Sequence, residues 1–265
     1  MRIIIIIGIL FCFQVVNSQP LSEITTKENF ENKRVLPYAD LNERDILFEK
    51  KVYRIIDSRE KRNLPFRYPE ATLIEILKNG IEKEFLTAYE PGEKIFSQEM
   101  SSESINKNFY QIDTVRVVNP DGTDEWVVVE NQMNFEDIIR YRLYEIWYFD
   151  TQSSQMKVRI MGIAPLISET DDYGNFLYER PLFWVHLPSS RDFLADHLVI
   201  NPTNQADQIS WEQYLERRQF SSYIYKEANL HDRRLQDYLS GTDLLSESYK
   251  IEEEIFNWER DLWSK

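Results

Sequence analysis

Two hairpin patterns in the middle of the chain constrain its fold more than any other feature. In the first, the apolar stretches YQIDTVRVV (110–118) and DEWVVVE (124–130) flank an Asn-Pro-Asp-Gly sequence, which is typical of a tight turn. In the second, RLYEIWYF (142–149) and MKVRIMGI (156–163) flank the polar segment DTQSSQ. A further apolar stretch, LFWVHL (182–187), predicts a buried strand that a proline ends. The chain therefore contains an antiparallel sheet.

Helical patterns precede and interrupt these strands. From Asn42 onward, apolar residues recur at spacings that predict one stripe of an amphipathic helix: Ile46, Leu47, Val52, Ile55 and Ile56. A second helix is predicted from Glu70 to Lys83, where Gly80 weakens the last turn. Asn134 fits the N-cap of a short third helix.

The last third of the chain is again helical. Ser210 and Gln213 match a capping box, with serine at the N-cap and glutamine three residues later. A long amphipathic helix is predicted from Thr242, with these residues facing inward: Leu244, Leu245, Ile255, Phe256, Leu262 and Trp263. The predicted fold class is α+β, an antiparallel sheet of hairpins packed by helices, with an amphipathic C-terminal helix.

The first residues predict a secretory signal peptide over 1–18. Arg2 supplies a positive start, about 14 mostly apolar residues follow, and Ser18 fits a cleavage site before Gln19. This run is too short to span a bilayer, which takes about 20 apolar residues. Residues 19–40 are polar with little periodicity and predict a mobile N-terminal arm, followed by a single α+β domain over 41–265.

Cysteine usage and charge exclude several classes of protein. Cys12 is the one cysteine and lies in the predicted signal peptide, so the exported chain has none, as is common in a bacterial periplasm. The formal net charge of -14 at pH 7 repels nucleic acid and anionic lipid headgroups. No second apolar run is long enough to cross a membrane. We therefore expect an exported protein that binds no nucleic acid and has no membrane span.

The motifs of common enzyme classes do not occur. His186, His197 and His231 lack the spacing of metal ligands, and we expect them to be structural or at the surface. No G-x-S-x-G, P-loop or G-x-G-x-x-G sequence is present, and the chain has only 7 glycines for such loops. The sequence thus predicts no catalytic residues, no cofactor and no metal site.

Paired carboxylates keep one enzymatic alternative open. Two carboxyl groups roughly 5 to 10 Å apart across a cleft can hydrolyse a glycosidic bond, and Glu130, Glu145, Asp171 and Asp172 qualify by residue type. This alternative is a periplasmic carbohydrate-active or peptidoglycan-binding enzyme, but no pair stands out and solvated surface charge is the simpler interpretation. The tryptophans of the predicted strands are expected in the core rather than on a sugar platform: Trp126, Trp147 and Trp184.

A local excess of positive charge stands out in this acidic chain. Residues 44–67, hereafter the basic segment, hold eight basic side chains against four acidic ones. Two interpretations remain: a solvated helix face whose cations favour the helix C-terminus, or a surface that docks an acidic partner, another copy included. The candidate partner-binding residues are Arg44, Lys50, Arg54, Arg59, Lys61 and Arg62.

The basic segment also opens a resemblance that continues along nearly the whole chain. It begins with RDILFEKKVYRIIDSREKRNLPFRYP, and further blocks follow in order: LTAY, WYFD with MKVRIMGIAPL, RPLFWVHLPSSRDFLA, RRQFSSYIYKEANLHDR and LLSESYKIEEEIFNWERDLW. Together they resemble the GldN/PorN family of the gliding-motility and type IX secretion machinery. Several long blocks in one order are more specific than any short motif.

This resemblance implies a function that composition and periodicity do not reach. It implies a non-enzymatic periplasmic protein, peripheral to the inner face of the outer membrane. Its partners would be a GldK/PorK-type outer-membrane lipoprotein, with which copies of the chain form a ring, and a GldM/PorM-type shaft that crosses the periplasm. The resemblance implies no cofactor.

Overall fold

The computed structural model describes residues 35–68, 72–118, 124–171, 173, 175–200, 209–228 and 233–263. The predicted signal peptide over 1–18 lies outside these residues, as does the predicted arm up to residue 34. The end of that arm lies against the domain, because the Tyr38 ring contacts the guanidinium groups of Arg159 and Arg191, each 4.1 Å from the ring centroid. Residues 33–265 belong to one compact unit.

The described residues form β-strands, α-helices and short 3-10 helices. The strands are β1 (Ile46–Asp57), β2 (Ala88–Tyr89), β3 (Tyr110–Val118), β4 (Asp124–Gln132), β5 (Arg140–Asp150), β6 (Gln155–Thr170), β7 (Phe176–Pro181), β8 (Trp184–His186) and β9 (Tyr223–Glu227). The α-helices are α1 (Leu73–Glu82), α2 (Ser102–Phe109), α3 (Leu187–Ala195), α4 (Trp211–Glu216) and α5 (Gly241–Trp263). Short 3-10 helices span Glu43–Asp45, Lys61–Arg67, Phe135–Asp137 and Leu235–Asp237.

The main sheet is antiparallel and has the strand order β2-β8-β6-β5-β1-β9, with β7 paired to β6. The two predicted hairpins are both confirmed. β5 and β6 pair from Asp150↔Gln155 onward, and β3 and β4 form a separate two-stranded sheet that starts at Val118↔Asp124. The turn residues between β3 and β4 lie outside the described residues. The predicted α+β fold class is confirmed.

The prediction of a helix from Asn42 onward is wrong. This segment forms β1, an inner strand that lies between β5 and β9. Val52 packs against α5, while Ile55 lies on the opposite face with Tyr225. Residues 54–57 at its end are buried on both faces, and a strand segment buried in this way loses the alternation of apolar and polar residues that marks a half-exposed strand. The β-branched residues of the segment favour the extended conformation.

The other helix predictions are mostly confirmed, with shifted ends. Thr72 and Glu75 form a capping box that starts α1, within the predicted Glu70–Lys83. Ser210 caps α4 by accepting a hydrogen bond from the Gln213 N–H. Asn134 caps a 3-10 turn rather than an α-helix. The strand predicted over LFWVHL is shorter than expected, since β8 spans Trp184–His186 and Leu187 already begins α3. Pro188 lies in the first turn of α3, where its fixed φ is tolerated.

The C-terminal helix is confirmed, but its inward face is only partly as predicted. Ile251 and Ile255 are buried, and Leu244 packs against them. Leu245 and Phe256 were predicted to face inward and are exposed instead. The side chains of Leu262 and Trp263 lie outside the described residues. None of the helices in the described ranges combines the length and the apolar content needed to span a membrane.

One face of the sheet carries the main core. Tyr141, Leu143 and Ile163 pack there against α1, α3 and α4, with Trp211 fully buried among them. The same face is continued by a smaller cluster under α5, which includes Trp147. The core positions predicted for Trp147 and Trp184 are confirmed, and the Trp126 side chain lies outside the described residues.

Gly80 in α1 should resist substitution, although glycine is a poor helix former. A Cβ at this position would lie 2.6 Å from Leu86 Cδ1 and 2.7 Å from Phe193 Cζ, so Gly80→Ala must displace packed side chains. Overpacking costs about 1 to 3 kcal/mol, which outweighs a helix-propensity gain of about 1 kcal/mol. We expect urea denaturation to show a lower free energy of unfolding.

Gly92→Ala is the matched control for this prediction. A Cβ at Gly92 meets no atom within 4 Å, so its stability should stay close to that of the unmodified protein. A Gly80→Ala protein as stable as the Gly92→Ala protein would contradict the close packing of α1 against α3.

Candidate functional site

The basic segment has two parts in the structure. Residues 46–57 form β1, inside the sheet, and residues 61–67 form a 3-10 helix at the surface, hereafter the basic turn. The six predicted partner-binding residues are therefore not displayed on one helix face. They fall into a group that binds other parts of the domain and a group that is exposed.

Arg54 and Lys50 bind inside the domain. The Arg54 guanidinium is buried, donates from Nε to Ser222 Oγ at 2.9 Å, and lies 3.5 Å from a Glu252 carboxylate oxygen on α5. Lys50 Nζ lies 2.6 Å from a Glu227 oxygen on β9. These two cations connect β1 to β9 and α5, and Arg54 is not accessible to a partner.

Arg59 belongs to a chain of four charged groups at the end of β1. Its guanidinium binds the Asp57 carboxylate, which also accepts a hydrogen bond from Arg140 Nε at 3.1 Å. Arg140 in turn lies 2.9 Å from Glu179 on β7. Burial raises the pKa of Asp57, but the hydrogen bonds from Arg59 and Arg140 outweigh burial and hold that pKa well below its usual range. The chain fixes the end of β1 to β5 and β7.

Arg44, Lys61 and Arg62 are exposed. Arg44 lies 3.9 Å from the neighbouring Asp45 carboxylate, at the outer limit of an ion pair. Lys61 and Arg62 form no ion pair with any described residue, and the same holds for Arg67 at the end of the basic turn. The basic turn therefore presents three unpaired cations to solvent.

The basic turn is held firmly by residues that point inward. Asn63 is fully buried: its Nδ2 donates to Asp57 O at 2.8 Å and to Ser221 O at 2.9 Å, and its Oδ1 accepts from the Ser221 N–H at 2.8 Å. Phe66 is buried against Tyr141 and Trp211. Because the backbone is fixed, the turn can dock a partner without a large loss of conformational entropy.

Among the described residues, the carboxylates considered for glycoside hydrolysis do not face each other as a pair across a cleft. Glu145 is 0% exposed, and its two oxygens bind Arg218 Nη1 at 2.6 Å and Trp147 Nε1 at 3.1 Å. Asp171 accepts backbone hydrogen bonds within the turn between β6 and β7. Asp172 and the Glu130 side chain lie outside the described residues. Glu145 is therefore occupied by structural contacts.

The two described histidines lie at the two ends of α3. His186 Nδ1 contacts Ser189 Oγ at 3.0 Å, but this hydroxyl also donates to the His186 backbone carbonyl, and burial lowers the pKa of His186. His197 Nδ1 contacts the Phe193 carbonyl at 2.8 Å, two residues beyond the end of α3. His231 lies outside the described residues. Within the described residues no group of His, Cys, Asp or Glu could hold a metal ion.

The Glu145–Arg218 ion pair is a feature of the domain that the sequence alone does not reveal. The two residues are 73 positions apart and each looks like an ordinary surface charge. One signal was present, since Glu145 interrupts the apolar run RLYEIWYF at a position that faces the core with Leu143 and Trp147. A charge at such a position implies a buried partner, but not which residue supplies it.

Similarity to known proteins adds information about the family of the chain that the geometry does not contain. The family model described as "Gliding motility associated protein GldN" matches residues 41–264. No curated protein matches the chain.

Arg218→Met should strongly destabilise the protein, because it leaves the Glu145 carboxylate buried without its cation. Removing one partner of a buried ion pair costs about 3 to 5 kcal/mol of unfolding free energy. Adding Glu145→Gln removes the unpaired charge and keeps an oxygen for the Trp147 N–H, so the double variant should regain part of the loss. Urea denaturation measures both effects.

The exposed ion pair between Lys107 and Glu103 provides the control. Lys107→Met should change the unfolding free energy by only about 0 to 1 kcal/mol. If Arg218→Met cost no more than this control, the buried pair would not be needed for stability.

Proposed function

The chain belongs to the GldN family of gliding motility associated proteins, and we propose that it is a non-enzymatic structural component of the type IX secretion and gliding machinery. In this proposal it forms a periplasmic ring with a GldK/PorK-type outer-membrane lipoprotein and contacts a GldM/PorM-type shaft. The family match over residues 41–264 carries the proposal. GldN is a family of gliding-motility machinery and not one of enzymes.

The surface of the domain offers sites for protein contacts, as such a component requires. β7 pairs with β6 and with no other described strand, so one edge of it remains open among the described residues. Its side chains Phe176, Leu177 and Tyr178 are all exposed, and Tyr173 before it is 90% exposed. Exposed apolar groups beside an open strand edge are typical of interaction surfaces.

The basic turn supports contacts between copies of an acidic protein. Chains with a formal net charge of -14 repel each other when they assemble side by side. Lys61, Arg62 and Arg67 offer an acidic neighbour three cations on a fixed backbone. Single exposed pairs contribute only about 0 to 1 kcal/mol, so several of these cations must act together.

The proposed location is the periplasm, at the inner face of the outer membrane. The signal peptide predicted over residues 1–18 would direct export, with a mature N-terminus at Gln19. Association with the membrane would then come from the lipoprotein partner, and Cys12 would carry no lipid.

Deletion of the gene tests the proposed function. We expect the loss of type IX protein secretion, of gliding, or of both, and restoration by a copy of the gene. A tagged chain should co-purify with the GldK/PorK-type lipoprotein from detergent-solubilised envelopes. A deletion strain that secretes and glides normally would refute the proposal, as would a tagged chain that is recovered without the lipoprotein.

Charge reversal of the basic turn tests its role in assembly. The triple variant Lys61→Glu, Arg62→Glu and Arg67→Glu should keep its circular dichroism spectrum, because these side chains are exposed and form no ion pair with described residues. It should lose most of its co-purification with the ring partners. The assembly of the unmodified protein should weaken as the salt concentration rises.

A second triple variant gives a control with the same change in net charge. Lys83→Glu, Lys107→Glu and Arg260→Glu alter exposed cations outside the basic segment and should leave assembly intact. If both triple variants assembled equally well, the basic turn would be only a solvated surface. Arg54 is unsuitable for this test, because its buried contacts with Ser222 and Glu252 would be lost on reversal.

A further inference from the structure

The sheet face opposite the main core holds a basic groove. The groove has a volume of about 910 Å³ and includes the aromatic side chains of Tyr53, Trp184 and Tyr225. Glu93 is the one acidic residue among its described lining residues, whereas five are basic: Lys94, Arg142, Arg180, Lys226 and Arg234. Arg180 is paired with Glu169 at 2.6 Å, but the groove still holds a local excess of cations, which favours a ligand of negative charge.

Arg142 is the decisive residue of this groove. It lies on β5 and is only 7% exposed, and its guanidinium stacks on the Tyr225 ring at 4.6 Å. Its Nε has no hydrogen-bond partner, and the guanidinium forms no ion pair with any described residue. Burial lowers its pKa, although its guanidinium stays protonated at neutral pH. A buried cation without an anion is costly to the folded protein.

The other buried charges of the domain show how unusual Arg142 is. Arg54 is equally buried, yet it binds Ser222 and Glu252. Glu145 is buried with Arg218. Because the other buried charges among the described residues have a counter-charge, the unused hydrogen-bond donor of Arg142 fits a counter-charge that comes from outside the domain.

The wall of the groove is built by specific packing. Pro91, Gly92 and the residues after them form this wall, and the loop is fixed by Phe96, which contacts Tyr144, Trp184 and His186. A Cβ at residue 162 would lie 2.5 Å from Phe96 Cζ, so Gly162 on β6 is what admits the ring. Phe96 itself has a φ of +64°, a conformation that only firm packing stabilises in a non-glycine residue.

We propose that this groove binds an acidic peptide segment of a partner protein and that Arg142 binds one of its carboxylates. A guanidinium offers a planar pair of donors that matches a carboxylate. The half-buried Tyr53 ring gives the residues beside that carboxylate apolar surface to pack on, over the buried Trp184 and Tyr225. Lys94 and Arg234, both exposed, attract further acidic groups of the same segment. This inference concerns the isolated chain and does not depend on the proposed ring.

Fluorescence anisotropy with a labelled peptide of alternating glutamate and tyrosine tests the proposal on the purified protein. The peptide should bind, and its counterpart with glutamine in place of glutamate should bind about tenfold more weakly or not at all. Arg142→Met should weaken binding of the acidic peptide by at least about tenfold, while Arg44→Met, outside the groove, should leave it unchanged.

Thermal denaturation of the same variants gives an independent readout. Replacing a buried unpaired charge by an apolar side chain of similar length should keep or raise the melting temperature. Loss of binding together with retained stability therefore distinguishes a ligand-binding arginine from a structural one. If Arg142→Met does not fold, the rim variant Lys94→Gln and Arg234→Gln replaces it, with weaker peptide binding and a smaller salt dependence expected.

Several outcomes would overturn the inference. The acidic peptide could fail to bind, or could bind the Arg142→Met and rim variants as well as the unmodified protein. Inorganic phosphate could bind in the groove where the peptide does not, which would indicate a phosphate site. Concentration-dependent self-association that Arg142→Met abolishes would assign the groove to a second copy of the chain instead.

Discussion

β1 is the constraint on which the rest of the domain depends. It pairs with β5 from Ile46↔Asp150 to Asp57↔Arg140, and with β9 on its other side. Its buried Arg54 reaches Glu252, which fastens α5 across the sheet. α5 also binds β9, because Ser248 Oγ on α5 accepts a hydrogen bond from the Ile224 N–H on β9. β1, the first strand of the domain, therefore depends on contacts with residues from the last quarter of the domain.

Many cations of this acidic domain form ion pairs with carboxylates of the same domain. Lys50, Arg54 and Arg59 neutralise carboxylates within the fold, so half of the predicted partner-binding residues have a structural partner. Part of the charge excess of the basic segment therefore neutralises carboxylates elsewhere in the fold, and the rest is exposed, mostly on the basic turn. The cations of the basic turn, held in place by the buried Asn63, and Arg142 on the other side of the sheet have no counter-charge among the described residues, and we propose them as contacts for partners.

The two faces of the sheet have different roles in this arrangement. One face buries the apolar side chains under α1, α3, α4 and α5 and supplies the stability of the domain. The other face buries a smaller cluster of Ile55, Leu166 and Tyr225, and the groove beside it, with Arg142 and the loop fixed by Phe96, is a surface suited to recognition. A scaffold of this kind serves a machinery component, because contacts can be made without disturbing the core.

Local patterns in the sequence determined the hairpins, the capped helices, the α+β class and the family, since turn residues, caps and long sequence blocks act or are recognised over short distances. Only the tertiary structure decided that residues 46–57 are a strand, because the last residues of this strand are buried on both faces and show no alternation of apolar and polar side chains. It also decided which charges are paired. Arg54 meets Glu252 and Glu145 meets Arg218 across 198 and 73 positions, and Arg142 meets no carboxylate in the described residues. No local rule relates side chains so far apart, because their distance is set by how the sheet and α5 pack together.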